Sequence, residues 1–392
     1  MTLNLLRRNQ RDKFVFPLLL KLLGIKIITN NQLLTNQEGY VNLTYGLKEY
    51  ISPQRPNNIG EIPESIKVTS LPFSINRPIV SEIENAQLIG DIAVGFDKEG
   101  NIISETTQPP LGDLSPRFDG SISVESLFLK KIPFANGYHL GSACSLVNFR
   151  SKSYYHWFLD CLTRLEGLEY YQKYTGDKPL LIIDSNPTSW QIESLKLLGY
   201  EPGTYIHWDK RKKIHLKKLI VPTFRQPGNW ISPSALHWLR GQILRNIQNQ
   251  NANKNQYSFS PRIYISRSKA SGRRVINEEK LIQLLSQFGF VRYTLEDMSL
   301  WEQIQLFSSA EIVIAPHGAG LTNIIFSKKP ITVIEFVNPW VSPHYYLIST
   351  ILGFTYWCFE CHQPYLQKLR KGKGDMIVDV ERLHHLLKQL IT

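Results

Sequence analysis

Two groups of residues in this chain are of types and spacings that could do chemistry. The first is the string His317, Gly318, Ala319, Gly320, Leu321, followed by Asn323 and, on the next strand, Glu335. Two glycines one residue apart let the backbone turn sharply and keep the amides of residues 318 to 321 clear of side chains. Such amides at a helix start bind phosphate oxygens. His317, just before them, can donate to a phosphate or to a leaving oxygen. Four cations in RSKASGRRVIN (Arg267, Lys269, Arg273 and Arg274) suit a phosphate clamp, because arginine makes bidentate contacts with phosphate. The plainer readings are a tight turn and an exposed basic loop.

The second group is His156 and Asp160, four apart in SYYHWFLDCLTRLEGLEYY. On a helical wheel they lie together with Arg164, opposite Phe158, Cys161, Leu162, Leu165 and Leu168. Such a pair can hold a proton in common. A solvated helix face is the competing reading, weakened by Tyr154, Tyr155 and Trp157 around the pair.

These residues need elements to place them. Residues 310–336 read as a buried strand, a turn, a helix from about Leu321 to Lys329, and a second strand, Ile331 to Phe336. Both strands are continuous aliphatic runs, as in the middle of a parallel sheet. Pro330 stops the helix. Ligands of such sheets bind outside the strands' carboxyl ends, where His317 and Glu335 fall. Before this unit come RIYISR (strand), Glu278 to Phe288 (helix), FVRYTL (strand) and Leu300 to Ser308 (helix). Earlier still, Leu180 to Ile183 and LKKLIVPTF are strands, and Ser234 to Ile247 is an amphipathic helix. A last amphipathic helix runs from about Val380 to Leu390. Alternation at this spacing predicts parallel, three-layer α/β domains. From about Asn30 to Phe134 the chain is rich in proline and turn residues, with a hairpin signal at Ile89 to Phe96 and Ile102 to Glu105 around DKEGN. That predicts an irregular β-containing lobe. The polar tract NIQNQNANKNQ is the expected domain boundary. The expected division is therefore 1–140 (N-terminal segment and β-containing lobe, part of the first α/β domain), 141–245 (the rest of that domain), 246–258 (linker) and 259–392 (second α/β domain with its C-terminal helix).

The 392 residues suffice for two domains, and 42% hydrophobic with 20% charged residues is a folded soluble composition. Forty-five Lys and Arg against 33 Asp and Glu give a formal charge of +12, which favours anionic partners. Four cysteines are too few for a disulfide framework and fit a reducing, cytoplasmic location. Cys358, Cys361 and His362 spell the haem-attachment string, but on a strand residues three apart point to opposite faces, so core cysteines are expected. The basic, apolar N-terminus (Arg7, Arg8, Arg11, Lys13, then FVFPLLLKLLGIKII) lacks a cleavage site and is too short and too charged to span a bilayer. Packing on the protein body is the expectation, and resting at the inner face of an anionic membrane the alternative.

No P-loop string occurs. The dinucleotide fingerprint would need a glycine at Asn323; Glu335 keeps an NAD(P)-dependent oxidoreductase open as an alternative, beside a non-catalytic nucleotide-binding protein. The cations are spread along the chain and not interleaved with aromatics in a stripe, so nucleic acid is not the expected partner. No D-x-D string, the usual carboxylate pair for a metal-bound sugar diphosphate, is present.

Three blocks together resemble glycosyltransferase family 61. They are His156, Trp157, Asp160, Leu162, Arg164 and Leu165; Ser266, Arg267, Arg274 and Asn277; and the string HGAGLTN from His317 to Asn323, followed by Phe326. They span roughly residues 142–336, about half the chain, and none is matched in the N-terminal third. The resemblance implies a GT-B architecture, two Rossmann-like domains facing across a cleft, with the nucleotide sugar on the C-terminal one. It implies transfer with inversion and no essential metal or other cofactor. The implied partners are a nucleoside diphosphate sugar, a UDP-sugar, and a glycan or lipid-linked glycan acceptor in polysaccharide synthesis. On this reading Arg267, Arg274, His317 and Asn323 neutralise the leaving diphosphate on the 318–321 amides, and Glu335 holds the ribose hydroxyls. Asp160 deprotonates the acceptor with His156 in support, the roles being open to exchange.

Overall fold

The computed structural model describes residues 18, 20–34, 39–107, 138–209, 213–250, 258–363 and 373–391. The chain is a mixed α/β protein of two compact units, one of residues 1–48 and 76–228, the other of 49–75 and 229–392. Strands are numbered β1 to β17 along the chain.

The first unit is built on a nine-stranded sheet, ordered β1-β8-β7-β6-β12-β9-β10-β11, with β2 also pairing β6. Its strands are β1 (Ile27–Ile28), β2 (Tyr40–Thr44), β6 (Ile79–Ile89), β7 (Val94–Phe96), β8 (Ile102–Ile103), β9 (Tyr138–Ser145), β10 (Leu180–Ile183), β11 (Tyr205–His207) and β12 (Ile214–Pro222). The half comprising β12, β9, β10 and β11 is parallel. The other half is antiparallel around β6, apart from the parallel β1–β8 pair. The expected hairpin around DKEGN is present, Phe96 pairing Ile102, but the piece Ile89 to Phe96 is itself folded back, Ile89 pairing Val94. The hairpin belongs to the large sheet of the first α/β unit, because β6 pairs along its length with β12 and so joins the N-terminal strands to the parallel half.

In the second unit every neighbouring pair of the main sheet is parallel, in the order β14-β13-β15-β16-β17-β4. The strands are β4 (Asn57–Ile59), β13 (Arg262–Ile265), β14 (Val291–Tyr293), β15 (Ile312–Pro316), β16 (Thr332–Val337) and β17 (Thr355–Glu360). A small hairpin of β3 (Glu49–Ile51) and β5 (Phe73–Ile75) stands apart. Taken from β13, the order 2-1-3-4-5 is that of a doubly wound nucleotide-binding sheet, whose ligand crevice opens where the order reverses, here between β13 and β15. Continuous aliphatic strands are buried on both faces, as Ile312 to Pro316 are throughout. Helices Glu278–Gln287 and Leu300–Ser309 fall where the pattern put them, the second started by a capping box of Ser299 and Glu302.

Two boundaries differ from expectation. The units divide after Gly228 and not at the polar tract, whose residues 251–257 lie outside the described ones. Helix Pro233–Gln250 belongs to the second unit because Arg240 donates to the Ser327 carbonyl and Ser232 and Ser234 bond Glu49. Likewise residues 49–75 leave the N-terminal part to add β4 beside β17. The basic N-terminal residues before Leu18 also lie outside the described ones; no helix among the described residues is long and apolar enough to cross a membrane.

Candidate active site

At the crevice of the second unit, β13 delivers Arg267 and β15 delivers His317 and Gly318. Arg267, half-buried, donates through Nη2 to the Gly272 carbonyl at 3.1 Å. Its guanidinium lies against Gly318: an ideal Cβ at residue 318 would stand 2.8 Å from Cζ. Burial, and after it the nearby charge of Arg273, lowers the Arg267 pKa from its ordinary value.

Both glycines serve space and not an unusual backbone. Gly318 has φ 178°, which any residue adopts, and Gly320 is not among the positive-φ residues. A Cβ on Gly320 would meet Leu295 Cδ1 at 2.7 Å, so this glycine lets the turn close onto the protein body. The expected α-helix is a 3₁₀ helix, Ala319–Phe326. Asn323 explains the tightening, since its Nδ2 donates to the Gly320 carbonyl at 3.0 Å, the group an α-helix would offer to the residue 324 amide. The Leu321 amide is spent on the Gly318 carbonyl at 2.9 Å, so the anion-facing set shrinks to Gly318, Ala319 and Gly320. Asn323 is wholly buried and also bonds Gln303 at 2.9 Å. It builds the turn and does not face a ligand.

His317 is 5% exposed and Glu335 is 0% exposed. The His317 Nδ1 bonds Glu335 Oε1, and the Tyr356 hydroxyl donates to Oε2 at 2.7 Å. With both oxygens engaged and no surface, Glu335 is not placed to take ribose hydroxyls. It fixes the His317 ring and leaves Nε2 as the nitrogen for a ligand. The nicotinamide reading loses its acid for the same reason. Tyr345 packs on His317, ring centroids 5.3 Å apart. Burial first and the Glu335 charge second raise the hydroxyl pKa values of both Tyr345 and Tyr356.

Arg274 does not join this group. It is exposed and bound by two nitrogens to Asp375, Nη2 to Oδ2 at 2.7 Å. Lys269 pairs with Asp297. The candidate second cation is Arg273, whose charge acts on both Arg267 and Tyr345. It is held at φ 58°, a left-handed backbone rare for arginine. Its amide donates to the Lys373 carbonyl at 3.3 Å, and Gly272 admits that carbonyl where a Cβ would come within 2.6 Å. Nothing in the sequence separates Arg273 from Arg274; the strand-like pairing of Val275 with Met376 fixes the backbone just after both.

In the first unit the helix of His156 and Asp160 is not regular. Tyr154–His156 is α, Trp157–Cys161 is a π turn, Leu162–Arg164 is 3₁₀, and Leu165–Thr175 is α again. A π turn inserts one residue and commonly marks a functional position. His156 Nδ1 lies 2.6 Å from Asp160 Oδ2, so the expected pair exists. The solvated-face reading fails, since Trp157 to Cys161 are all buried. Asp160 is 2% exposed, and burial raises its pKa against the opposing pull of His156. The His156 side chain keeps 18% exposure, which makes it the outer member. Arg164 leaves the polar face altogether. It is buried, donating to the carbonyls of Pro222 at 2.9 Å and Ser145 at 3.0 Å.

Cys144, Cys161, Cys358 and Cys361 are free and buried, as expected of core cysteines. Among the described residues no group of three or more His, Cys, Asp or Glu could hold a metal ion.

The sequence model described as Glycosyltransferase 61 matches residues 154–334, which includes both groups. The chain is 24% identical over 144 residues to a beta-1,2-xylosyltransferase of Arabidopsis thaliana, covering 32% of this chain and 26% of that protein. It is 26% identical over 118 residues to an EGF domain-specific O-linked N-acetylglucosamine transferase of Xenopus laevis, covering 29% and 20%. With a protein O-linked-mannose beta-1,4-N-acetylglucosaminyltransferase 2 of Mus musculus it shares 32% over 82 residues, covering 20% and 14%. The chain thus spans about a quarter or less of the length of these three relatives. The stretch carrying His156, Asp160, Arg267 and the glycine turn is the part of the chain that matches the Glycosyltransferase 61 family.

Proposed function

We propose that this protein transfers a glycosyl group, hexosyl or pentosyl, from a nucleoside diphosphate sugar, a UDP-sugar, to a hydroxyl of a glycan or glycoprotein. The observation that carries the proposal is the Arg267 guanidinium over Gly318 at the strand-order reversal, a preformed anion site at the position where doubly wound sheets bind nucleotides. Arg267, Arg273, His317 Nε2 and the amides of Gly318 to Gly320 take up the negative charge that develops on the departing diphosphate. Supplying that charge from fixed protein groups is the basis for proposing a metal-independent reaction.

The acceptor hydroxyl attacks the anomeric carbon as the bond to the diphosphate oxygen breaks, a single displacement that inverts the centre. Its proton passes to the His156–Asp160 pair. His156 is the receiving group here, since it is the exposed member, and Asp160 stabilises the imidazolium that forms. A GT-B arrangement, with the donor on the second unit and the base on the first, is part of the proposal. So is a cytoplasmic location, with which four free cysteines are compatible.

Titration calorimetry with UDP in the presence of EDTA tests the donor site. Binding is the expected result, and its loss in Arg267→Ala assigns the clamp. UDP binding that appears only with added divalent metal refutes metal independence, and NAD binding without UDP binding refutes the whole reading.

A further inference from the structure

Among the described residues the first unit buries five carboxylates, and four have partners. Glu82 holds Tyr171 and Lys218, Asp97 holds Tyr40 and Asn101, Glu105 holds the Phe224 amide, and Asp160 holds His156. The fifth, Asp184, is 5% exposed, and its Oδ2 is buried with no hydrogen-bond partner among the described residues. An unpaired buried carboxylate is costly to keep and calls for an explanation.

Its position supplies one. Asp184 directly follows β10 at the carboxyl end of the parallel half-sheet, where ligands of such sheets bind. The neighbouring strand β9 continues its pairing one step further, the Leu146 amide donating to the Ile182 carbonyl at 2.9 Å. The chain then passes through Asn148, whose Nδ2 lies 3.1 Å from Cys161 Sγ, into the helix of His156 and Asp160. Burial is the main cause that raises the Cys161 thiol, and the charges of Asp160 and Asp184 add to it, so both carboxylates lie within electrostatic reach of one sulfur. One carboxylate is coupled to a histidine, and the other keeps a buried oxygen without a partner among the described residues.

We infer that Asp184 binds the acceptor sugar, its carboxylate accepting hydrogen bonds from hydroxyls adjacent to the one that the His156–Asp160 pair deprotonates. A carboxylate is acceptor-only, and sugar hydroxyls are matching donors. A bound cation fits less well, because no cluster of three ligating side chains surrounds it among the described residues. The inference rests on the glycosyl-transfer reading and adds to it the residue that recognises the acceptor.

Saturation-transfer NMR with methyl β-D-xylopyranoside, methyl α-D-mannopyranoside and methyl β-D-galactopyranoside tests it, beside UDP calorimetry and melting curves on the same samples. The wild type should bind at least one glycoside, and Asp184→Asn should weaken that binding about ten-fold or more. UDP affinity should be unchanged. The variant should melt no lower than wild type, since it removes an unpaired buried charge at constant size. Wild-type glycoside affinity in Asp184→Asn, a melting point several degrees lower, or no binding of any of the three glycosides by the wild type overturns the inference. Failure of the wild type to bind UDP instead overturns the glycosyltransferase reading beneath it.

Discussion

Arg267 occupies the space that a side chain on residue 318 would need, its Cζ 2.8 Å from an ideal Cβ there. Gly318→Ala should therefore fold normally, because φ 178° suits alanine, but push the guanidinium aside and weaken UDP binding about ten-fold or more. Gly320→Ala should do the reverse. Its Cβ meets Leu295 in packed surroundings, so about 1–3 kcal/mol of stability should be lost. Calorimetry and urea unfolding of the two variants separate a ligand glycine from a packing glycine.

The neighbouring arginines should behave oppositely. Arg273→Ala should reduce UDP affinity about as much as Arg267→Ala. Arg274→Ala should leave stability nearly unchanged, as loss of an exposed pair does, and leave UDP binding within about two-fold. Equal effects of the two on UDP affinity would show that the clamp is not organised as described.

The acid–base pair should show in turnover and not in donor affinity. His156→Ala and Asp160→Asn should each lower kcat by about 10²–10⁴ with UDP affinity nearly unchanged. Near wild-type turnover in both would remove the pair from the mechanism.

Glu105 gives a pH signature away from the proposed chemistry. Burial raises its carboxyl from 4.5 to about 7, against the Phe224 amide and the Arg164 charge. A pKa raised in the folded state means stability that is fully present below about 4.5 and lost as pH climbs through about 7. Relative to wild type, Glu105→Gln should therefore gain up to about 3 kcal/mol between pH 4.5 and 8. Urea unfolding at the two pH values reads the difference; a pH-independent gap between the proteins would contradict it.

Much of the second unit was legible because β15 and β16 are nearly unbroken aliphatic runs and helices alternate with strands before them. The His156–Asp160 pair was legible from its spacing, which brings the side chains together despite the π turn between them. A 3.6-residue wheel could not foresee that turn, and so misplaced Arg164. Asn323 and Glu335 were read as ligands because both are polar at the ends of elements. Only long-range contacts, to Gln303 and Tyr356, show that they support the turn and His317 instead. Arg273 was eclipsed by Arg274 because the difference lies in one backbone angle set by Lys373. Strand β4 escaped notice as three residues, Asn57 to Ile59, with no pattern of their own.

That short strand has a consequence for how the protein is made. Asn57 bonds a carbonyl on Tyr356, 299 positions later. At about 5–20 residues per second on a ribosome, the segment waits roughly 15–60 s for its mate to emerge. During that interval its backbone donors and acceptors are unmatched, a template for pairing with other nascent chains. Slowing synthesis should therefore depress soluble yield, and supplying the segment in trans to a fragment beginning at Asn229 should restore it.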